Sequence, residues 1–318
     1  MRGMSSAQES SAPEDPRDPA GAAASGSGRP GAEEETLEDT RMSLGEHLDE
    51  LRKRLIRGVG AIAIAFVVAW TFRAEVTSFV TQPYDWAMDR LEAHFVEEAE
   101  GLLLADPTLE RGEYFETNDP ADQRLRGFDK RLTGIQAAEP FLFQLKISLY
   151  AAIVFGAPVL LWQMWAFIAA GLYKREKRAV LRYFPFSVLA FAVGIGFGFY
   201  FITPYGLFYL NKAISIAEAV PSVTFKNFLS FLSTLCLAFG VVFQLPLVQT
   251  FLGSAGVLSP DAMAKYRGHF IVAAFVIAAV MTPPDPYTQA AMAVPLIVLY
   301  QVGIWSARVA IRRREAAA

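Results

Sequence analysis

Glu50 in "SLGEHLDELRKRL", Glu176 in "LYKREKR" and Gln244 in "FGVVFQLPLV" are the side chains best placed to do chemistry in this sequence. The two carboxylates stand among Arg52, Lys53, Arg54 and Arg57, and among Lys174, Arg175, Lys177 and Arg178. A carboxylate in such a basic surround remains ionised. It suits a guanidinium, whose planar fork makes two parallel charge-assisted bonds where an ammonium makes one. The bland alternative for each is a solvated residue with local partners: Glu50 lies one helical turn before Arg54 and can pair with it. Gln244 sits inside an apolar run, where an amide needs a hydrogen-bond partner, either on a neighbouring helix of the same chain or on another protein.

Other chemistry is missing. His47, His94 and His269 are the three histidines, and none belongs to H-E-x-x-H or a comparable ligand set. There is no G-x-S-x-G elbow and no phosphate-binding G-x-x-x-x-G-K-[ST] loop, so hydrolases and ATP-driven pumps have no support. No catalytic, metal or cofactor site is expected. A single cysteine, Cys236 in an apolar run, excludes an internal disulfide framework and reads as a small buried hydrophobe. The net charge of -3 excludes a generally basic nucleic-acid binder. "GIGFG" at Gly194 to Gly198 lies in an apolar span with no preceding strand, so close helix packing is its reading.

These residues must be positioned by membrane helices. Of the 318 residues 53% are hydrophobic and only 19% charged, and the apolar ones gather in runs of membrane length. Residues 1–42 are rich in Ala, Ser, Gly, Pro and Glu and are expected to be a disordered tail. Ser43 and Glu46 form a capping box that opens a helix, with Leu44, Leu48, Leu51 and Leu55 on one stripe. Spans are predicted at about 55–72, 147–170, 184–205, 228–252, 270–281 and 290–305. The last two reach only about 18 Å and 24 Å, against a hydrocarbon core near 30 Å, so they either thin the bilayer or re-enter as one hairpin. Pro158, Pro185, Pro246 and Pro295 should bend their helices into a concave wall, to which a helix could dock from the lipid side. Trp162, Trp165 and Tyr173 read as an interfacial aromatic belt.

With six crossings, the basic clusters beside the spans, ending with Arg308 and Arg312 to Arg314, fall on one side, which is then cytoplasmic and holds both termini. Charge alone does not separate six crossings from four. The segment from about Arg73 to Leu145 is acidic and lies outside, and "YDWAMDRLEAHFVEEAEGLLL" reads as a surface helix with Trp86, Leu91, Phe95 and Leu102 on one face. A small-molecule secondary transporter is the competing class. It should show ionisable groups near mid-membrane, and here the carboxylates are at the inner rim. An intramembrane protease is disfavoured, since no His or Asp lies in the predicted spans.

The ordered motifs "HLDELRKRL", "APVLLWQMWAFIAAGLYKREKR", "FGVVFQLP" and "MTPPDPYTQ" resemble TatC, the multispanning subunit of the twin-arginine protein translocase, over about Met42 to Arg314. The resemblance implies an all-α integral membrane protein with six transmembrane helices in a cupped arrangement, the last two short, and both termini cytoplasmic. The membrane domain then covers residues 43–314, followed by a tail at 315–318. It implies a bacterial inner-membrane receptor for signal peptides with consecutive arginines, in a multimeric complex with small single-span subunits of the TatA and TatB type. Folded passengers cross by the proton-motive force. Glu50 and Glu176 match the glutamates that hold the signal's arginines, and Arg52 an adjacent arginine. Pro83, Phe167 and Asp285 match a proline after the first span, a phenylalanine of the aromatic run and an aspartate of an outer loop. Two departures stand out: Gln244 replaces a glutamate common in the family and cannot titrate, and the first outer loop carries an acidic insertion at about 84–139.

Overall fold

The computed structural model describes residues 44–105, 132–134, 136–170, 181–216, 223–282 and 286–315. Glu176, Asp285, Tyr173 and residues 1–42 lie outside the described residues. The described chain is helical, apart from one isolated bridge between Thr133 and Thr224.

Helix α1, Leu44–Thr71, runs on through the first apolar stretch without a break, and Ser43 of the expected capping box lies outside the described residues. Its leucine stripe finds no cover among the described residues: Leu48, Leu51 and Leu55 are all exposed. At Phe72 the chain turns directly into α2, Arg73–Ala105, with the Phe72 carbonyl accepting from the Val76 amide. The expected outer loop therefore starts as a long helix, and Pro83 lies inside it. The helix is docked, not merely superficial. Tyr84, Met88, Leu91 and Phe95, at helical spacing, are all buried, while Trp86 projects sideways onto Tyr205 at 5.1 Å between ring centroids. Its partners are the later spans: Tyr84 meets Phe228 edge-on as Trp86 meets Tyr205.

Helix α3, Glu139–Ala170, packs antiparallel to α1. A Cβ on Gly58 would fall 2.8 Å from Leu160 Cδ2, one on Gly156 would meet Ile62 at 3.3 Å, and Trp70 meets Phe141 edge-on. The third span is α4, Phe184–Phe197, a π-turn at Gly198–Ile202, and α5, Thr203–Ile216. Pro185 opens α4 and so does not bend it, since the first turn of a helix has no use for that N–H. The fourth span is α6, Phe225–Val242, then a break at Phe243 and Gln244, then α7, Leu245–Ser254, with Pro246 in its first turn. After a short α8, Pro260–Lys265, come α9, Arg267–Met281, and α10, Pro286–Glu315.

Among the described residues, five helical stretches are long and apolar enough to cross a membrane: Leu48–Thr71, Glu139–Ala170, Phe184–Lys212, Phe225–Ser254 and Thr288–Arg313. The 15 residues of α9 reach about 22 Å, as short as expected. The last span is a correction: α10 has 30 residues and is not short. Apolar run length understated it, because Tyr287 and Gln289 at one end and the arginines at the other continue the helix beyond the apolar stretch.

The "GIGFG" segment is a packing surface. A Cβ on Gly194 would lie 2.4 Å from the Phe239 carbonyl oxygen, and one on Gly198 would lie 3.0 Å from Cys236 Cα. Two glycines one turn apart thus let the α4 backbone lie against the α6 backbone. A second close seam joins α7 to α10, where Gly303 lies against Pro246 and the Gln249 side chain, and Thr250 and Ser306 share a hydrogen bond of 2.6 Å. Trp165 corrects the aromatic-belt reading: it is buried, stacked on Tyr183 and edge-on to Phe251, whereas Trp162 is exposed.

Candidate functional site

Glu50 lies in the second turn of α1, where one helical turn brings it against Arg54. The two form an ion pair through Glu50 Oε1 and Arg54 Nη2, with the glutamate side chain 25% and the arginine side chain 16% exposed. The local pairing that the spacing allows is therefore made. Arg54 Nε is buried without an acceptor among the described residues, so the guanidinium is only partly satisfied by Glu50. Beside it, Lys53 pairs with Asp49 at 2.8 Å in a well-exposed position. Arg52 is exposed and, two residues from each member of the pair, falls on the other side of the helix. The carboxylate at position 50 is thus preorganised to hold one guanidinium, and it holds one from its own chain.

Register relates this end of α1 to α3. Gly58 faces Leu160 and Ile62 faces Gly156, so in an antiparallel pair residue 50 falls level with the last turn of α3. Phe167, half-buried, occupies that turn. Pro83 is buried inside α2, and Pro158, inside α3, is exposed on a helix that continues through it. These two prolines are on different elements from Glu50, and Pro83 is at the far end of the helices from it. The pairing of Glu50 with Glu176 and the surroundings of Asp285 fall outside the described residues.

Gln244 answers its own question. Its Oε1 accepts from Ser187 Oγ at 2.7 Å, and its Nε2 donates to the Ser187 carbonyl at 2.9 Å. Both residues are buried. The break between α6 and α7 turns the amide toward the first turn of α4, so both ends of one side chain grip one residue of the neighbouring span. Of the two alternatives, the same-chain hydrogen bond is the one formed. Its amide is engaged and enclosed within the chain. Ser187 was missed by sequence reasoning. The available signal was a lone hydroxyl two residues after Pro185 in an otherwise apolar run.

Two hollows lie near the other end of α3. One, of about 330 Å³, is walled almost wholly by apolar side chains of α2, α3, the π-turn and α6, with Glu75 at its edge. The other, of about 550 Å³, is polar and includes Lys146 and Lys226. Lys146 lies one residue before the predicted span at 147–170 and is exposed on the same helix, since α3 starts at Glu139. No group of His, Cys, Asp and Glu among the described residues is arranged to hold a metal ion.

Comparison with known proteins gives one family throughout. A sequence-family model described as Sec-independent protein translocase protein (TatC) matches residues 46–295. The chain is 35% identical over 279 residues to the TatC protein of Desulforapulum autotrophicum, covering 87% of this chain and 88% of that one. It is 32% identical over 275 residues to the TatC protein of Aquifex aeolicus, covering 86% and 98%. In three dimensions it matches a crystal structure of the twin-arginine translocase receptor TatC with a TM-score of 0.62 and 32% identity, over 84% of this chain and 100% of that one. The chain is a multi-pass, all-helical membrane protein, and it belongs to the TatC family of Sec-independent protein translocase proteins.

Proposed function

We propose that this protein is the receptor subunit of a twin-arginine translocase. It binds signal peptides with paired arginines at its cytoplasmic face and nucleates the complex that exports folded proteins by the proton-motive force. Its role is binding and assembly, without catalysis. The observation that carries the reading is Glu50 in a partly buried ion pair with Arg54, at the end of α1 that is level with the close of α3. The mechanism is guanidinium exchange. An incoming arginine replaces Arg54 on the carboxylate, and because a guanidinium is lost for each one gained, only a ligand with a second, simultaneous contact gains net free energy.

Glu176 is the proposed second contact. It follows Ala170, the end of α3, by six residues, so it lies within about 22 Å of that helix end, and consecutive arginines on one extended peptide are compatible with a site of this reach. Arg52 and its basic neighbours repel ligands that offer charge without the matching fork. Phe167, Pro83, Pro158 and Asp285 are proposed as family-motif positions that shape the binding face. Six crossings with both termini cytoplasmic are supported by the basic clusters and by α9, whose short reach the bilayer accommodates by thinning. The concave wall is proposed to receive single-span subunits of the TatA and TatB type. Replacing both signal arginines by lysine should weaken binding roughly 10- to 1,000-fold, at about 1.5–3 kcal/mol per charge-assisted bond. Glu50→Ala and Glu176→Ala should each reduce photo-crosslinking of a signal peptide to this protein; undiminished crosslinking in both would remove the site.

A further inference from the structure

The two hollows are neighbours that share walls. Tyr150 and Leu229 line both, so the polar chamber adjoins the apolar one between α3 and α6. Lys146 enters the polar chamber from α3, two turns into that helix, and Lys226 from the first turn of α6. Neither lysine forms an ion pair with a described residue. Glu139, which also lines the chamber, has interactions of its own within the chain. Two ammonium groups against one carboxylate leave the chamber net positive. Gln136 and Asn227 add neutral hydrogen-bonding groups at the same level.

The adjoining chamber is of opposite character. Its wall is formed by Val76, Phe79, Val154, Phe155, Phe199 and Leu232, among others. The π-turn contributes here: it turns Phe199 onto Phe79, with parallel rings 5.0 Å apart, and so sets one side of the hollow. Glu75, at its margin, is exposed and on α2, away from the lysine chamber. A cationic compartment beside an apolar one matches an amphiphile with a negative head and a hydrocarbon tail. Both lysines stand just outside the predicted spans at 147–170 and 228–252, where a long side chain can meet a phosphate at headgroup depth.

We propose that Lys146 and Lys226 bind the phosphate of an anionic phospholipid, one of whose acyl chains fills the hollow between α2, α3, the π-turn and α6. The site is independent of the arginine-binding end of the protein, and it does not require the receptor reading. The occupant is assigned by charge complementarity: a zwitterionic lipid brings an ammonium of its own toward two others.

The test is native mass spectrometry of the full chain released from nanodiscs containing phosphatidylcholine with a minority of phosphatidylglycerol. Phosphatidylglycerol should be retained preferentially, and the double variant Lys146→Gln/Lys226→Gln should weaken that retention about 30-fold. Lys265→Gln, a control on α8, should leave it unchanged. Val154→Trp, which fills the apolar chamber with the lysines intact, should release the retained lipid. Since a tryptophan there can disturb packing, the decisive variant is the exposed lysine pair. Equal retention of the two lipids, unaltered retention in the double variant, or an equal loss in Lys265→Gln would each overturn the assignment. So would a photo-crosslinker at Phe155 that captures an apolar peptide segment and no lipid, which would make the hollow a peptide groove.

Discussion

Ser187→Ala isolates the bond that fastens the third span to the break in the fourth. It deletes the hydroxyl that donates to Gln244 Oε1 at 2.7 Å but leaves the backbone carbonyl that receives Nε2 at 2.9 Å. The stranded Oε1 is buried, with the Ser187 site fully enclosed, so no water readily replaces the donor. Leaving a buried acceptor unpaired costs about 1–3 kcal/mol in general, and membrane hydrogen bonds measured by double-mutant cycles fall near the lower end, about 0.6 to 1.7 kcal/mol. We therefore expect Ser187→Ala to destabilise the protein by about 1–2 kcal/mol. Gln244→Leu should cost about 1 kcal/mol, because the freed Ser187 hydroxyl can bond back to the Tyr183 carbonyl one turn earlier. Once the amide is gone the serine has little left to lose, so the double variant should be no worse than about Gln244→Leu alone. The assay is reversible unfolding in detergent of the four proteins in the cycle. Additivity of the two single effects to within about 0.5 kcal/mol would refute the coupling and with it the intramolecular role of Gln244.

Three further outcomes follow from the same geometry. Gly194→Ala should destabilise by about 1–3 kcal/mol, since its Cβ would meet backbone oxygen at 2.4 Å and no rotamer change relieves that, whereas Gly196→Ala, with open space around it, should be tolerated; thermal unfolding in detergent compares them. The Asp85 carboxyl is pushed above the ordinary carboxylate range by partial burial and by Asp89 four residues on. The fold therefore favours its neutral form, and this group's contribution is lost as pH rises through that range, so Asp85→Asn should raise stability slightly at about pH 7, by no more than about 0.3 kcal/mol once solvent screening of this exposed group is allowed for, and by nothing near pH 3. Arg54→Gln removes the resident competitor for Glu50 and should tighten binding of a twin-arginine peptide by about fivefold, measured by fluorescence anisotropy.

Much of the fold was legible because a bilayer imposes length and polarity on any crossing segment. The spans at 147–170, 184–205 and 228–252 each fall on a helical stretch that the structure shows, although the first begins eight residues earlier, at Glu139, and the second ends eleven residues later, at Ile216. Where the reading failed, hydropathy was used as a ruler for helix length. Helix α10 runs from Pro286 to Glu315 because arginines and a tyrosine prolong a helix as well as leucine does. Trp165 was placed at the lipid interface by residue type, although its contacts with Tyr183 and Phe251 are tertiary and have no local signature. The candidate site was legible in part. The Glu50–Arg54 pair follows from one helical turn, but the grip of Gln244 on Ser187 joins residues 57 apart in sequence, and only the break between α6 and α7 brings them together. The lysine chamber was hidden because Lys146 stood just outside an apolar run, and its helix begins two turns earlier.

The central claim is that carboxylate forks, Glu50 among them, read guanidinium and not merely positive charge. The most direct measurement is the affinity of the purified full-length protein for one synthetic signal peptide in two forms, arginine pair and lysine pair, repeated with Glu50→Gln. The account predicts that the native protein prefers the arginine form roughly 10- to 1,000-fold and that the variant loses a factor of about 10 or more of that preference. An unchanged ratio in the variant, or equal binding of both peptides by the native protein, would contradict it.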